Sequence, residues 1–357
     1  MAPQFYKLKV SCVKPLTSDS LTLTFEVPEY LRPKYSFLPG QHVNIRVWIE
    51  GFEHRRSYSI HRAPYEDSLE VAIKKVKGGV VSNWVFENLK DGDEIEVMTP
   101  EGEFCIDTTT SKGPVLAIAA GSGVTPVISI VKQLLKDNSE SSVTFLYGNR
   151  EIKSIMFREE ILDLKDRYLK RFTFISTLSR QMSEVDLHNG RIDAVKISEL
   201  ERVVGSFMDL ETIFICGPFD MIENVTNALF SFGVEEDSIR FERFGTPREE
   251  STPLVGSHKV TLAECAVINV TIDGREHSFT FEEGTGSILD AGIAFGLDLP
   301  YSCKSGVCST CRALRLDGEV SMANNFALTK ADLRKGFILT CQSLPITRTV
   351  AIDYDLR

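Results

Sequence analysis

The sequence predicts a multi-domain β and α/β protein: an antiparallel β-barrel, then a Rossmann-like parallel α/β domain, then a small β domain. Three observations predict it. Short β-rich runs separated by turn residues fill residues 1–110, strands alternate with helical patterns from Gly113 on, and an alternating hairpin opens the segment that begins at 263. A chain of 357 residues also exceeds what one hydrophobic core usually organises.

Taken in order, "KLKVSCV", "SLTLTFEV", "HVNIRVWI", "RRSYSI", "LEVAIKKV" and "EIEVMT" are β-rich and bounded by Pro, Gly, Asp or Asn. Their spacing fits a barrel closed by antiparallel pairing. One short helix is expected in "VSNWVFENLK", with Ser82 as its N-cap. From 111 to 245 the pattern changes: "PVLAIAA" is a continuous apolar strand, followed by the turn "GSGVTP" and the helix "VISIVKQLLK". "SVTFLYGN", "RFTFISTLS" and "TIFICGP" read as further buried strands, so the sheet is expected to be parallel. Residues 246–262 carry prolines, charges and no periodicity, and read as a linker. In 263–357, "AVINVTIDGREHSFTFE" is two alternating strands around an Asp-Gly turn.

Composition excludes some functions. A formal net charge of -10 argues against a nucleic-acid surface. No apolar run is long enough to span a bilayer, and "MAPQFYKLKV" lacks the pattern of a secretory signal, so a cytoplasmic location without membrane partners is expected. The histidines His42, His54, His61 and His188 have no metal-ligand spacing and are expected at the surface or in packing roles, and Trp48 and Trp84 are expected to pack.

Of eight cysteines, 12, 105, 216 and 265 are scattered, whereas 303, 308, 311 and 341 are spaced Cys-x4-Cys-x2-Cys with one distant fourth. That is the ligand spacing of plant-type [2Fe-2S] clusters. A structural zinc site would bring two close pairs or add histidine, and Cys341 has no second ligand beside it. Ser302, Ser305, Gly306, Ser309 and Thr310 surround the thiols, small residues that let backbone N–H groups approach charged sulfur. Residues 263–357 thus resemble the plant-type ferredoxins. The resemblance implies a β-grasp fold, a one-electron carrier, and Cys303, Cys308, Cys311 and Cys341 as the four ligands.

A carrier needs a source of single electrons. In "RRSYS" (55–59), strand alternation puts Arg56 and Tyr58 on one face, a cation for phosphate beside a ring for stacking. "KGGVVS" (77–82) adds glycines at a helix N-terminus, where backbone N–H groups can receive a pyrophosphate. Together the two segments resemble the ferredoxin-NADP reductase family. The resemblance implies FAD, with Arg56 on its diphosphate, Tyr58 stacked on the isoalloxazine and Ser59 near its reactive N5. Gly79, Val80, Val81 and Ser82 would cradle the diphosphate, and Ser57 and Ile73 belong to the same cofactor set.

"AIAAGSGVTPVISI" joins a buried strand to a helix: Gly121 and Gly123 allow close approach of a dinucleotide, Thr125 can cap the helix, and Pro126 suits its first position. "YGNR" (147–150) and "ICGPFDM" (215–221) also follow parallel strands, whose carboxyl ends form the ligand crevice. The reductase resemblance places NADPH or NADH at Gly121, Gly123, Thr125, Pro126, Cys216, Gly217 and Pro218, with Gly148 and Asn149 alongside. Cys216 fits a core position equally well. Ser179, Arg180 and Arg150 offer groups for a 2'-phosphate, which leans the donor toward NADPH. In "ERFGTP" the resemblance gives Phe244 the role of covering the flavin and puts Glu242 nearby, so Ser59, Cys216, Glu242 and Phe244 are the expected catalytic group.

Over all three segments the chain is similar to the reductase components of multicomponent oxygenases, in particular those serving the di-iron phenylacetyl-CoA 1,2-epoxidase of phenylacetate catabolism. "PGQHV", "AIAAGSGVTP", "YGNR", "MFRE", "HNGRID", "ICGP" and "ERFGTP" carry that similarity. It implies an oxygenase component as protein acceptor. A reductase of a Rieske-type aromatic or steroid hydroxylase shares the layout, and a redox-sensing module without turnover is the reading from another class.

Overall fold

The computed structural model describes residues 4–108, 111, 113–245 and 265–356. The linker expected at 246–262 lies outside them. The chain divides into two compact units, Phe5–His54 with Tyr58–Gly245, and Gln4 and Arg55–Ser57 with the residues from 265 on.

The first unit opens with β1 (Phe5–Thr17), β2 (Ser20–Glu26), β3 (His42–Ile49), β4 (Phe52–Ser59, whose middle residues Arg55–Ser57 are counted with the second unit), β5 (Leu69–Lys74), α1 (Val80–Asn88) and β6 (Glu94–Met98). The strands form one sheet in the order β4-β3-β6-β1-β2-β5. β1 pairs antiparallel with β2 and β6, as β2 does with β5 and β3 with β6. An isolated bridge between Ile60 and Val71 links the two ends of that order, which closes the barrel. Alternation fills the inside: Leu8, Val10, Leu23, Val43, Ile45, Val71 and Ile73 form its core. Trp84 packs on that core, but Trp48 points outward and is 60% exposed, because the alternation that buries Val47 turns its neighbour to solvent.

The same unit continues with β7 (Pro114–Ala120), α2 (Val124–Asp137), β8 (Ser142–Asn149), α3 (Arg158–Arg167), β9 (Phe172–Leu178), α4 (Ala194–Val204), β10 (Thr212–Gly217), α5 (Phe219–Ser231) and β11 (Ile239–Arg243). The sheet order is β11-β10-β7-β8-β9, and every pair is parallel. Both faces are covered, so the strands are apolar nearly throughout: Phe145 and Phe214 look to one core, Leu116, Ile118 and Ile215 to the other.

Helix starts differ from expectation in two places. α1 begins at Val80 with Gly79 as N-cap, so Ser82 sits inside the first turn. Its hydroxyl accepts from the Val76 N–H and donates to the Gly79 carbonyl, and that bond pair draws the turn back over the preceding loop. α2 begins at Val124, continuing a single 3-10 turn at Gly121–Gly123, so Thr125 and Pro126 lie one turn further in. The Thr125 hydroxyl donates to the Ser122 carbonyl rather than capping an N–H.

Barrel and parallel sheet are joined by buried charge. Lys132 of α2, 3% exposed, donates to Glu66 at 2.6 Å and Glu160 at 2.9 Å. Arg62 reaches Glu66 at 2.9 Å and Glu70 at 2.8 Å, and His61 lies 3.4 Å from Glu70. Burial would raise the Glu70 carboxyl, but His61 and Arg62 outweigh it and bring it down to about 2. The stabilisation from Glu70 is therefore full above the ordinary carboxylate range and lost as pH falls toward 2.

The second unit holds β12 (Cys265–Ile272), β13 (Arg275–Glu282), α6 (Ile288–Ala294), β14 (Arg312–Asp317), β15 (Val320–Met322), α7 (Lys330–Lys335), β16 (Phe337–Leu339), β17 (Ser343–Pro345) and β18 (Thr349–Asp353). Its main sheet runs β13-β12-β18-β14-β16, parallel only between β12 and β18. Asp273 and Gly274 turn the first hairpin with φ of 50° and 70°, as an Asp-Gly type I′ turn requires. α6 crosses the sheet so closely that a Cβ on Gly292 would lie 2.5 Å from Leu299. This is the β-grasp arrangement.

Lys132→Met is expected to leave Glu66 and Glu160 short of a buried cation and to cost about 3 kcal/mol. Urea unfolding at pH 7 measures it, and a loss below about 0.5 kcal/mol would remove the network as a determinant of stability.

Candidate cofactor and electron-transfer sites

On β4, Arg56 is exposed and its guanidinium donates to the Arg55 carbonyl at 2.7 Å, while Tyr58 is half-buried against the barrel core. Ser57 is half-buried and Ser59 buried. Ile73 is fully buried inside the barrel and Val81 nearly so, which leaves their backbones and not their side chains for a ligand. At the start of α1 no side chain caps the free N–H groups, and Gly78 has φ of 74°. A Cβ on Gly79 would sit 2.6 Å from the Ser82 hydroxyl. A bare helix N-terminus at a glycine with no room for a side chain suits a diphosphate, so Gly79, Val80, Val81 and Ser82 fit FAD.

The parallel sheet offers a second cradle at its carboxyl edge. A Cβ on Gly123 would stand 2.2 Å from the Cys216 carbonyl oxygen, and one on Gly217 would stand 3.3 Å from Ala120. Glycine is what lets the turn after β7 cross the end of β10. Gly121 has φ of 57°, and its carbonyl accepts from the buried Tyr147 hydroxyl at 2.8 Å. Gly148 packs against Ile192, and Asn149 is buried behind it. Backbone bonds from Ser179 to Asn149 and from Arg180 to Arg150, both 2.9 Å, set the two exposed arginines side by side. Pro218 is the exposed N-cap of α5.

Parallel register places Cys216 beside Glu242. Ser59 donates to one Glu242 oxygen at 3.3 Å, and His42 Nδ1 lies 3.7 Å from the other. Burial raises the Glu242 carboxyl to about 7, against the lowering effects of His42 and Ser59. Burial and Glu242 together push the Cys216 thiol well up, so this cysteine is a neutral, fully buried group. Phe244 follows, 38% exposed, with its N–H 3.4 Å from the Gly217 carbonyl. Ser59, Cys216 and Glu242 are thus brought together from two sheets.

Sequence reasoning missed His42 and Glu101. His42 is 3% exposed, with Nε2 3.5 Å from Glu101, and Asn44 donates to Glu101 at 2.7 Å. Gly102, with φ of 115°, closes over the imidazole, where a Cβ would meet Nδ1 at 2.8 Å. The only signal was the His in "PGQHV", which spacing rules for metals pass over.

In the second unit, Cys303 and Cys308 face each other, as do Cys311 and Cys341. The Cys308 thiol donates to Cys303, whose thiol is lowered by that bond and by N–H groups of Ser305 and Val307; Cys308 is raised well up in turn. Cys311 donates to Cys341 in the same sense. Positive φ at Lys304, Gly306 and Ser309 turns the loop so that the Ser305 N–H reaches Cys303 Sγ at 3.4 Å and the Cys303 N–H reaches Cys308 Sγ at 3.5 Å. Among the described residues no three His, Cys, Asp or Glu converge as a single-ion site would need. Two sulfur pairs fit a two-iron cluster, in which each iron takes two thiolates.

Three family models match the chain: an oxidoreductase FAD-binding domain over 7–106, an oxidoreductase NAD-binding domain over 117–227, and a 2Fe-2S iron-sulfur cluster binding domain over 270–345. Together they define an electron-transfer oxidoreductase. The chain is 38% identical to a subunit of the 1,2-phenylacetyl-CoA epoxidase of Escherichia coli (strain K12), over 99% of this chain and 98% of that one. To the ferredoxin reductase component of 3-ketosteroid-9-alpha-monooxygenase of Rhodococcus rhodochrous it is 30% identical, over 97% and 96%. The structure of phthalate dioxygenase reductase has the same fold, with a TM-score of 0.59 at 20% identity over 98% of each chain. The chain belongs to the family of oxygenase reductase components that carry FAD-binding, NAD-binding and [2Fe-2S] domains in one polypeptide. Among the described residues no helix is long and apolar enough to cross a membrane.

Gly123→Ala is expected to collide with the Cys216 carbonyl, costing about 3 kcal/mol and weakening NAD(P)H binding together with it. Denaturant unfolding and nucleotide titration read the two effects, and an Ala variant with wild-type affinity would show that the crossing is not part of the nucleotide site.

Proposed function

We propose that this chain takes electron pairs from NADPH and delivers them singly to an oxygenase component, the di-iron phenylacetyl-CoA 1,2-epoxidase. The observation that carries the reading is the end-to-end likeness to a component of a phenylacetyl-CoA epoxidase at 38% identity. A steroid or aromatic Rieske-type hydroxylase is the second acceptor class, favoured by the 30% likeness to a 3-ketosteroid monooxygenase component. The proposed division is 1–110 for FAD, 111–245 for the nucleotide, 246–262 as linker and 263–357 for the cluster, in a protein of the cytoplasm. NADPH is favoured over NADH by the paired, exposed Arg150 and Arg180, whose guanidinium groups suit a phosphate dianion.

Bound flavin supplies the exchange between hydride and single electrons, and the cluster supplies a one-electron acceptor. The protein's part is positioning and charge. Arg56 and the N–H groups at Gly79, Val80, Val81 and Ser82 hold the diphosphate, and Tyr58 supports the ring. Gly121, Gly123, Cys216, Gly217 and Pro218 leave room for the nicotinamide, and Phe244 would cover the flavin until the nicotinamide displaces it. Ser59 orients toward Glu242, and Cys216, being neutral, acts as a positioner and not a nucleophile. Cys303, Cys308, Cys311 and Cys341 hold the irons.

Hydride donation leaves a positive charge on the nicotinamide, which an ionised Glu242 favours and a neutral one does not. Flavin reduction by NADPH should therefore speed up as pH rises through about 7, where this carboxyl ionises. Stopped-flow absorbance checks it: Glu242→Gln is expected to flatten the profile at its slow, low-pH level.

The function itself is tested by parallel anaerobic titration with NADPH and NADH, followed by absorbance and EPR. Cys308→Ala is expected to keep flavin reduction and abolish NADPH-driven reduction of cytochrome c and of the epoxidase component. A chain whose reduced cluster passes electrons to no protein acceptor would instead be a redox-sensing module.

A further inference from the structure

The side chain of Gln342 reaches the sulfur of the fourth cysteine and also binds the loop that carries the other three. Gln342 follows the fourth cysteine, and its amide nitrogen lies 2.9 Å from the Lys304 carbonyl, 3.0 Å from the Cys341 carbonyl and 3.8 Å from Cys341 Sγ. All three neighbours are acceptors, and the two hydrogens of the amide are shared among them, the sulfur taking the longest contact. The amide oxygen on the other side accepts from Asn324 Nδ2 at 3.1 Å. A flipped amide would set an oxygen against two carbonyls and a sulfur and face its NH2 to another NH2, so the donor orientation is fixed by its surroundings.

The clasp is built into the fold. The Ala323 N–H donates to the Gln342 carbonyl at 2.8 Å and the Phe326 N–H to the Gly306 carbonyl at 3.0 Å, so the strip 323–326 binds both the fourth ligand's neighbour and the ligand loop. A Cβ on Gly306 would stand 3.1 Å from both Gln342 Cγ and the Asn324 carbonyl, so the loop closes directly on this side chain. Gln342 is half-buried, a setting in which a polar contact counts for more than in water.

We propose that the Gln342 amide, held in place by Asn324, donates to the Cys341 sulfur and thereby raises the reduction potential of the [2Fe-2S] cluster. The inference rests on the reading of the four cysteines as ligands. Reduction adds one electron, and the added charge is shared with the ligand sulfurs; an N–H donor to sulfur stabilises the reduced form more than the oxidised one. A clasp that only tied the loop together would serve the two carbonyls and leave the potential alone.

The test uses the full chain loaded with FAD and cluster, in a potentiometric titration followed by EPR, with iron and acid-labile sulfide assayed beside it. Gln342→Leu removes the donor and is expected to lower the reduced-to-oxidised ratio at a fixed poise by about three- to tenfold, tenfold being about 59 mV for one electron. Gln342→Glu keeps the shape, replaces the donor with an acceptor and is expected to lower it further. Asn324→Ala frees the amide and should give a smaller shift in the same direction. If the Leu variant loses iron, the Glu and Ala variants decide. Full iron and sulfide with a wild-type potential in both overturns the inference, whereas wild-type protein without iron and sulfide overturns the ligand reading and the inference with it.

Discussion

Four sulfurs held in two facing pairs become a concentration of negative charge once they ionise, and the second unit is organised around answering it. Two of them belong to buried residues, Cys311 and Cys341, where water offers little help. The answer comes from the backbone. Left-handed turns at Lys304, Gly306 and Ser309 point amide hydrogens at sulfur, and such turns need small or adaptable residues. That requirement explains why the segment holds Ser302, Ser305, Gly306, Ser309 and Thr310.

The first unit obeys a related rule. There, no side chain caps the starts of α1 and α2. Gly79 and Gly123 are each fixed by what a methyl group would strike, a hydroxyl in one case and a carbonyl in the other. Glu242 lies beside Cys216, its carboxyl raised by burial to about 7 while Ser59 and His42 flank it. Its strand β11 belongs to the parallel sheet, and Ser59 and His42 belong to the barrel, so the two layers define the site jointly.

Much of this was legible in the sequence, for identifiable reasons. Local pattern alone carries the barrel strands and the Asp-Gly hairpin, and continuous apolar strands alternating with helical periods carry the parallel sheet. Spacing singles out the four cysteines because three of them lie in one contiguous loop. Helix starts were misjudged by about a turn because Ser82 and Thr125 are good caps in isolation, while here their hydroxyls are engaged by Val76 and Ser122. His42 was read as a surface or packing residue, since nothing near it in sequence announces Glu101 or Glu242, which arrive from 59 and 200 residues downstream. Gln342 likewise shows its role only once Lys304 and Asn324 are folded against it.

Joining the two units in one chain has a kinetic consequence that their separate structures do not convey. A ferredoxin that diffuses freely meets its reductase at a rate set by concentration, whereas a tethered one sees an effective concentration on the order of millimolar. Delivery from flavin to cluster then no longer depends on how much protein is present, and only the encounter with the acceptor does. A chain with a net charge of -10 meets that acceptor under long-range electrostatics, so the sign of the partner's surface and the ionic strength act on this last step. On the proposed reading, control of the path rests on two places: the Glu242 carboxyl beside Cys216, and the N–H donors around the cysteine sulfurs.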